Sequence, residues 1–290
     1  MTSVFKTPAG ERAVKEHCLE MLRRWPSTTQ HRLGSREGET VVTEVGPRNG
    51  PAVLLLHGTA SNSAMWSSNI EGWSRRLRLL AVDIIGDAGM SAASRPALDT
   101  EAHALWLDDV LDGLALDTVA IVGISFGGWI ALDYASRRPN RVERLVVINP
   151  GGVGRPKNVL LWALPLLMLG RWGRRKMMEK IAGKFEPDSP GELSAAAEFT
   201  SLIFKHFRPR TASLPQFSDR TLERLEMPLL AILGGKDVFI DARDARLRLQ
   251  AHAKNLTVRF LPEAHHFVPG QDAAIEAFLT APVALESEGR

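Results

Sequence analysis

The sequence predicts an α/β fold with a mostly parallel central sheet, helices on both faces of that sheet and one helical insertion. Short apolar runs alternate with longer amphipathic segments along most of the 290 residues. Continuous apolar runs are typical of strands buried on both faces, and their alternation with helices is typical of a parallel sheet. This alternation is interrupted once, from residue 151 to about residue 227.

Six apolar runs predict strands of the sheet, and one more run predicts an edge strand at 39–46. The six runs are 52–58, 79–83, 119–123, 145–149, 228–233 and 257–261. Apolar residues at helical spacing predict the helices. These helices are 10–26, 65–76, 101–115, 126–137, 242–252 and 272–279.

The interruption divides the chain into two predicted domains. Residues 1–150 and 228–290 form the main α/β domain, with residues 1–38 as an N-terminal helical arm. Residues 151–227 form the insertion, which enters and leaves at strand ends. Because ligand sites of such sheets lie beyond the carboxyl ends of the strands, we expect the insertion to cover the site as a cap.

Composition excludes several classes of protein. A hydrophobic content of 44% and a charged content of 24% are typical of a soluble globular protein, and a net charge of +3 does not indicate a nucleic-acid binder. The basic excess lies within residues 153–211. The single cysteine, Cys18, excludes an internal disulfide and a multi-cysteine metal site. The first residues lack a secretory signal, so the sequence predicts a cytoplasmic protein.

The run "VAIVGISFGGWIALDYA" places Ser125 where a predicted strand turns sharply into a predicted helix. Such a turn holds its central residue in a strained conformation and favours glycine two residues before and after, where Gly123 and Gly127 stand. The hydroxyl then projects above the sheet beside the first helical N–H groups. We therefore predict that Ser125 is a nucleophile, although the motif alone also fits a structural turn with a capping hydroxyl.

A serine nucleophile requires a base and an acid that orients the base. Asp237 follows a predicted strand, and His265 and His266 lie in the loop after the next strand. The order Ser, Asp, His suits a catalytic triad whose base is one of these two histidines. His265 stays open as the alternative base, and Asp237 as an ordinary turn residue.

The run "LLLHGTASNSAMW" supplies the second part of a predicted oxyanion hole. The backbone N–H groups of Thr59 and Phe126 are the predicted donors. His57 is interpreted as structural, bonding loop backbone. Asp83 and Asp87 are interpreted as carboxylates that cap a tight loop and not as metal ligands.

Together the His-Gly loop, "GISFGG", "GGKD" and "PEAHHF" resemble the α/β-hydrolase superfamily. The segments "FKTPAGERAVKE", "LRRWP" and "VDIIGDAGMS" resemble more narrowly the bacterial carboxylesterases of the naproxen-esterase (carboxylesterase NP) type. Two departures are an extra residue between Asp83 and Ser91 and a histidine at 265, where this loop usually has glycine. The resemblance implies an α/β-hydrolase fold and ester hydrolysis without a metal or organic cofactor. It also implies that His266 is the base, because this loop of the superfamily places its histidine just before an aromatic or apolar residue, here Phe267.

We therefore expect a carboxylesterase-like serine hydrolase that acts on small-molecule esters with an apolar or aromatic acyl part, through an acyl-enzyme. Alternative chemistry stays open: cleavage of thioesters, lactones or carbon–carbon bonds, or the formation of peracids. Two other classes of protein also stay open, a ligand-binding receptor and a lipid-binding protein. Trp162, Leu166 and Phe207 are predicted to contact the substrate. Basic residues after Leu169 leave weak contact with a membrane surface open, and both a monomer and a homodimer fit the sequence.

Overall fold

The computed structural model describes residues 3–183 and 191–282, except for the side chains of residues 160–162, 167, 171, 174 and 191–197. Eight strands form one sheet in these residues. They are β1 (Thr29–Ser35), β2 (Gly38–Val45), β3 (Ala52–Leu56), β4 (Arg78–Val82), β5 (Val119–Ile124), β6 (Val142–Ile148), β7 (Leu229–Gly234) and β8 (Leu256–Leu261). Their order is β1-β2-β4-β3-β5-β6-β7-β8. Strand β2 is antiparallel to β1 and β4, and the remaining pairs are parallel.

Ten α-helices in the described residues connect or cover these strands. They are α1 (Pro8–Leu22), α2 (Ser67–Trp73), α3 (Ala102–Gly113), α4 (Phe126–Arg137), α5 (Leu160–Met168), α6 (Gly170–Ala182), α7 (Gly191–His206), α8 (Asp219–Leu222), α9 (Ala242–His252) and α10 (Asp272–Thr280). The described residues thus confirm the predicted fold class and a strand at each of the six apolar runs. The prediction of an edge strand at 39–46 is wrong, because β2 lies between β1 and β4, and the edges of the described sheet are β1 and β8. The helix predicted at 65–76 begins instead as a short 3-10 turn at Ser63–Trp66.

Two hydrophobic cores lie on opposite faces of the sheet, because successive strand residues point to opposite faces. Along β3, Leu54 and Leu56 belong to the core shared with α3, α4 and α9. Val53 and Leu55 belong to the core shared with α1, α2 and α10. The central strands are buried on both faces, which explains their continuous apolar sequence.

The N-terminal segment differs from the predicted helical arm. Its helix α1 ends at Leu22, and residues 29–35 form the edge strand β1. This strand pairs with β2 through a tight connection at residues 36–37. Its side chains are exposed or half-buried along its whole length, so its sequence lacks an apolar pattern.

Helices α5 to α8 lie between β6 and β7, where the sequence predicted an insertion. Two ring contacts connect this insertion to the N-terminal segment. Phe199 of α7 stacks on His17 of α1 at a centroid distance of 4.7 Å, and Phe207 meets Phe5 edge-on at 5.6 Å. Across the described ranges, no helix combines the length and apolar character needed to cross a membrane.

Candidate active site

Ser125 occupies a strained turn between β5 and α4. Its backbone angles are φ 54° and ψ −110°, a conformation that residues other than glycine rarely adopt. Such a conformation costs about 1–3 kcal/mol and persists only where the surroundings enforce it. Here the Ser125 N–H donates to the carbonyl of Ile148 at 2.9 Å, and the Ser125 carbonyl accepts from Trp129 at 3.0 Å.

The two glycines that flank this turn are required by close backbone contacts. A Cβ atom at Gly127 would lie 2.2 Å from the carbonyl oxygen of Leu56 and 2.5 Å from that of His57. A Cβ atom at Gly123 would lie 2.5 Å from the carbonyl oxygen of Gly127. The motif is therefore a tight backbone crossing that holds Ser125 beside the loop after β3.

Asp237 and His266 form a buried hydrogen-bonded pair. Nδ1 of His266 lies 2.6 Å from Oδ2 of Asp237, and both side chains are buried. The other carboxylate oxygen accepts the N–H groups of Phe239 at 2.7 Å and Ile240 at 3.2 Å. The ring of Phe239 meets the His266 imidazole edge-on at 4.6 Å. The two backbone N–H groups fix the orientation of the Asp237 carboxylate, and the carboxylate in turn fixes the His266 imidazole.

His265 turns towards the insertion. Its Nδ1 atom lies 3.0 Å from the carbonyl oxygen of Lys180 in α6, and its side chain is more exposed than that of His266. The backbone of the same loop is also held by α6, because the His266 N–H donates to the carbonyl of Ile181 at 3.0 Å. Of the two neighbouring histidines, His266 is thus the one that contacts Asp237.

Asn149 connects the serine turn to the histidine loop. It follows Ile148, whose carbonyl binds the Ser125 N–H. Its Nδ2 atom donates to the carbonyl of His266 at 2.7 Å, and its Oδ1 atom accepts the N–H of Gly234 at 2.8 Å. Its positive φ of 42° is a conformation that asparagine tolerates better than most residues. Ser125, Asp237 and His266 therefore lie together beyond the carboxyl ends of the parallel strands β5, β7 and β8.

The Ser125 hydroxyl makes no hydrogen bond to any described side chain, His266 included. The N–H groups of Thr59 and Phe126 likewise have no partner among the described residues. Phe126 begins α4, where the first N–H groups of a helix have no acceptor within the helix. The serine hydroxyl and both predicted oxyanion donors are therefore available to a ligand.

Among the residues that the structure describes, His57 bonds only loop backbone, as the structural interpretation predicted. Its Nε2 atom accepts the N–H of Ile84 at 2.9 Å, so its Nδ1 atom carries the proton and donates to the carbonyl of Gly58 at 2.8 Å. Burial lowers the pKa of the ring, although Asp83 opposes the shift. A neutral, fixed imidazole of this kind orders the loop that presents Thr59.

The two aspartates after β4 also hold loop backbone, which confirms their interpretation as capping carboxylates. Asp83 accepts the N–H groups of Ser63 at 2.7 Å and Met90 at 2.9 Å. Asp87 accepts those of Ala88 at 2.9 Å and Ser61 at 3.3 Å. Burial raises the pKa of Asp87 to about 7, although these hydrogen bonds oppose the shift.

The structure places the predicted substrate residues in different environments. The side chain of Trp162 lies outside the described part of the structure, and Leu166 is half-buried in α5. Phe207 is fully buried against Phe5, with the guanidinium of Arg95 over its ring at 5.3 Å. Its ring joins the insertion to the N-terminal segment and presents no surface to a ligand.

Residues 51–223 match the sequence family described as the alpha/beta hydrolase fold. The chain belongs to the α/β-hydrolase fold family. Over 255 residues it is 29% identical to a carboxylesterase, YbfK, of Bacillus subtilis, with 86% of each chain covered.

Two crystal structures of Bacillus subtilis carboxylesterases resemble this α/β-hydrolase throughout. That of CesB (YbfK) has a TM-score of 0.80 at 26% identity, over 95% of this chain and 100% of that chain. That of naproxen esterase (carboxylesterase NP) has a TM-score of 0.78 at 25% identity, over 93% and 97%. These likenesses confirm the predicted resemblance and the prediction of a carboxylesterase-like enzyme.

Asn149 is the residue of this site that the sequence did not identify. It stands directly after β6, but its side-chain partners lie at the end of β7 and in the loop after β8. Its position in the sequence could have indicated this role, because an asparagine directly after a buried strand, where the chain reverses, is suited to a positive φ.

Proposed function

We propose that this α/β-hydrolase cleaves small carboxylic esters with an apolar or aromatic acyl part, through a triad of Ser125, His266 and Asp237. The buried contact between His266 and Asp237, at the same sheet edge as the strained Ser125 turn, carries the proposal. The similarity to carboxylesterases over nearly the whole chain supports ester hydrolysis as the reaction.

The Asp237 carboxylate sets the tautomer of the base. Because Asp237 accepts the proton on Nδ1, Nε2 of His266 is free to take the Ser125 proton. Ser125 Oγ attacks the ester carbonyl carbon, and the carbonyl oxygen becomes an oxyanion that accepts the N–H groups of Thr59 and Phe126.

The tetrahedral intermediate then collapses to the acyl-enzyme. The bond between the carbonyl carbon and the alcohol oxygen breaks, and His266 returns its proton to the departing alcohol. Water, deprotonated by His266, attacks the acyl-enzyme, and the carboxylic acid leaves as Ser125 recovers its proton. Because the Ser125 hydroxyl is free before substrate binds, its hydrogen bond to His266 forms in the substrate complex, as in many hydrolases.

The insertion is the proposed cap that selects the acyl part. It contacts the site through the Ile181 carbonyl, which binds the His266 N–H, and through Lys157, whose ammonium donates to the Asp237 carbonyl at 2.6 Å. Leu166 and Trp162, on α5 of this insertion, are proposed to contact the apolar part of the substrate. A pocket lined by such side chains favours apolar acyl groups.

A cytoplasmic enzyme with transient contact to anionic lipid is the proposed setting. Met168 and Trp172 are 83% and 56% exposed, and Leu164 and Leu169 beside them are also exposed. Glu179 binds both neighbouring cations, Arg175 and Lys176, and so neutralises only part of their charge. An apolar patch with basic neighbours fits the interface of an anionic membrane.

Sedimentation with phosphatidylserine vesicles tests this setting. Met168→Glu should abolish co-sedimentation at low salt, whereas Phe204→Glu, a charge at an exposed aromatic residue of α7, should leave it unchanged. Equal co-sedimentation of all three proteins, or none by the unaltered chain, would contradict the proposed lipid contact.

Ser125→Ala tests the catalytic proposal. With p-nitrophenyl butyrate, kcat is expected to fall roughly 10⁴- to 10⁶-fold. The initial burst of p-nitrophenol should also disappear, whereas Ser68→Ala, which alters an exposed serine of α2, should retain both. Near-native turnover by Ser125→Ala would refute the nucleophile.

A substrate series separates the ester from the alternative chemistry. Esters of increasing acyl length, together with a thioester and a lactone, should show the highest kcat/KM for an apolar acyl ester. A higher kcat/KM for the thioester or the lactone would assign the reaction to that class of substrate, with Ser125 still as the nucleophile. Binding of esters without a burst from the unaltered chain would indicate a receptor.

A further inference from the structure

We propose that a cleft away from Ser125 binds ligands that carry one carboxylate or phosphate group on an apolar body. The cleft lies between the loop after β4 and the loop after α7 and has a volume of about 400 Å³. We call it the arginine cleft, and its lining residues are Arg95, Pro96, Ala97, Leu98, Asp99, Arg210, Ala212, Ser213 and Pro215. Ser125, Asp237 and His266 do not line it, so the proposal stands independently of the catalytic one.

The two arginines hold the walls of the cleft through backbone carbonyls. Arg95 donates from Nε to Gly86 at 2.8 Å and from Nη2 to Arg208 at 2.6 Å. Arg210 donates from Nη1 to Pro96 at 3.2 Å. A guanidinium has five N–H donors, so each arginine keeps donors for a ligand. Carbonyl acceptors carry no net charge, so these contacts do not neutralise either guanidinium.

No carboxylate among the described residues lies within ion-pair distance of either guanidinium. Asp87 acts on both only from a longer distance. Burial and the charge of Arg95 lower the pKa of Arg210, which indicates that the two cations are partly desolvated and repel each other. Asp87 itself has its pKa raised to about 7 by burial and is therefore only partly ionised near neutral pH. A bound anion would relieve this repulsion.

The remaining lining residues indicate what kind of anion fits. Proline, alanine and leucine side chains supply most of the wall, which favours an apolar body. Ser213 is an exposed hydroxyl, and Asp99 is an exposed carboxylate that disfavours a second negative group nearby. Arginine binds carboxylate and phosphate oxygens through paired N–H donors. A small aromatic or aliphatic acid, or its phosphate counterpart, matches this combination.

The cleft lies next to the start of α4. The Arg210 guanidinium stands over the Phe126 ring at 5.6 Å, and the Trp129 indole N–H donates to the carbonyl of Pro215 at 3.0 Å. These contacts hold one arginine and one wall of the cleft against the first turn of the buried helix α4. A site held in this way is pre-organised and loses little conformational entropy when a ligand binds.

Calorimetric titration with benzoate, phenyl phosphate and neutral benzamide, at constant ionic strength, tests the proposal. Benzoate or phenyl phosphate should bind saturably, and benzamide should not. The anion that binds with the lower Kd identifies the preferred head group, carboxylate or phosphate. Equal affinity for benzamide and both anions, or no saturable binding of either anion, would overturn the proposal.

Charge variants at Ser213 locate the binding site, because benzoate is also an acid that the catalytic site would release as a product. Ser213→Glu should weaken binding at least about tenfold through repulsion, and Ser213→Gln, of the same size without the charge, should not. Arg210→Gln should act like Ser213→Glu, and Arg243→Gln on α9 should have no effect. Unchanged binding by Ser213→Glu would place the anion elsewhere and overturn the proposal, whatever the result for Ser125→Ala.

Discussion

The imidazole of His266 is joined to the carboxylate of Asp237 by a 2.6 Å contact that is buried from solvent. The carboxylate is held in turn by two backbone N–H groups, those of Phe239 and Ile240. With these two donors and Nδ1–H of His266, the carboxylate has little freedom to rotate. The turn after β7 therefore sets the orientation of the imidazole.

Asp237→Asn should lower kcat for p-nitrophenyl butyrate by about 10⁴-fold without unfolding the chain, because an amide selects the wrong imidazole tautomer. Steady-state kinetics with a thermal-unfolding control would measure this. Asp117→Asn, at an exposed position, is the matched control and should leave kcat unchanged. Retention of more than about a tenth of kcat by Asp237→Asn would contradict the role of Asp237 in orienting the base.

Asn149→Leu should lower both stability and activity. It removes the partners of the Gly234 N–H and the His266 carbonyl, and buried groups without partners cost about 1–3 kcal/mol each. Urea unfolding should show a loss of about 2–6 kcal/mol in the free energy of unfolding. Asn255→Leu, which breaks one exposed contact to the Glu226 carbonyl, should cost less than about 1 kcal/mol. Similar losses for the two variants would contradict the role assigned to Asn149.

Asp87→Asn should stabilise the chain more at high pH than at low pH. The pKa of Asp87 is about 7 in the folded chain, above its ordinary value of 3.8. The unfolded chain therefore ionises first, and stability falls as pH rises from about 4 to 7. Asparagine keeps the acceptor for Ser61 and Ala88 and removes this penalty. Its advantage in urea unfolding should grow by about 2–3 kcal/mol from pH 5 to pH 8. An advantage that does not change with pH would contradict the raised pKa.

His103→Phe should stabilise the chain, with a larger effect at low pH. Both ring nitrogens of His103 are buried without a partner among the described residues, and the ring meets those of Phe126 and Trp129 edge-on. Burial, assisted by the charge of Arg210, lowers its pKa to about 4, so the unfolded chain takes up the proton first as pH falls below about 6.5. Phenylalanine should add about 1–3 kcal/mol at pH 8 and about 2 kcal/mol more at pH 5, measured by urea unfolding. Equal gains at both values would show that His103 is not held neutral.

Local sequence patterns predicted most elements of the fold. Helices α4 and α9 begin and end where their spacing predicted, because each follows a short turn and buries one face against the sheet. Strand β1 was missed because it lies at the sheet edge, where neither face is fully buried. Its position depends on pairing with β2, and pairing leaves no periodic apolar signal.

The sequence by itself determined the α/β class, the central strands and the serine turn. Each of these depends on residues close together in the chain: apolar runs that must be buried, and glycines where the backbone crosses itself. Tertiary structure decided that His266, and not His265, contacts Asp237, that Asn149 connects their loops, and that Arg95 and Arg210 share a cleft in which no described carboxylate lies at ion-pair distance from either guanidinium. Those relationships join distant segments, and a side chain acquires such partners only when the sheet brings its strand ends together.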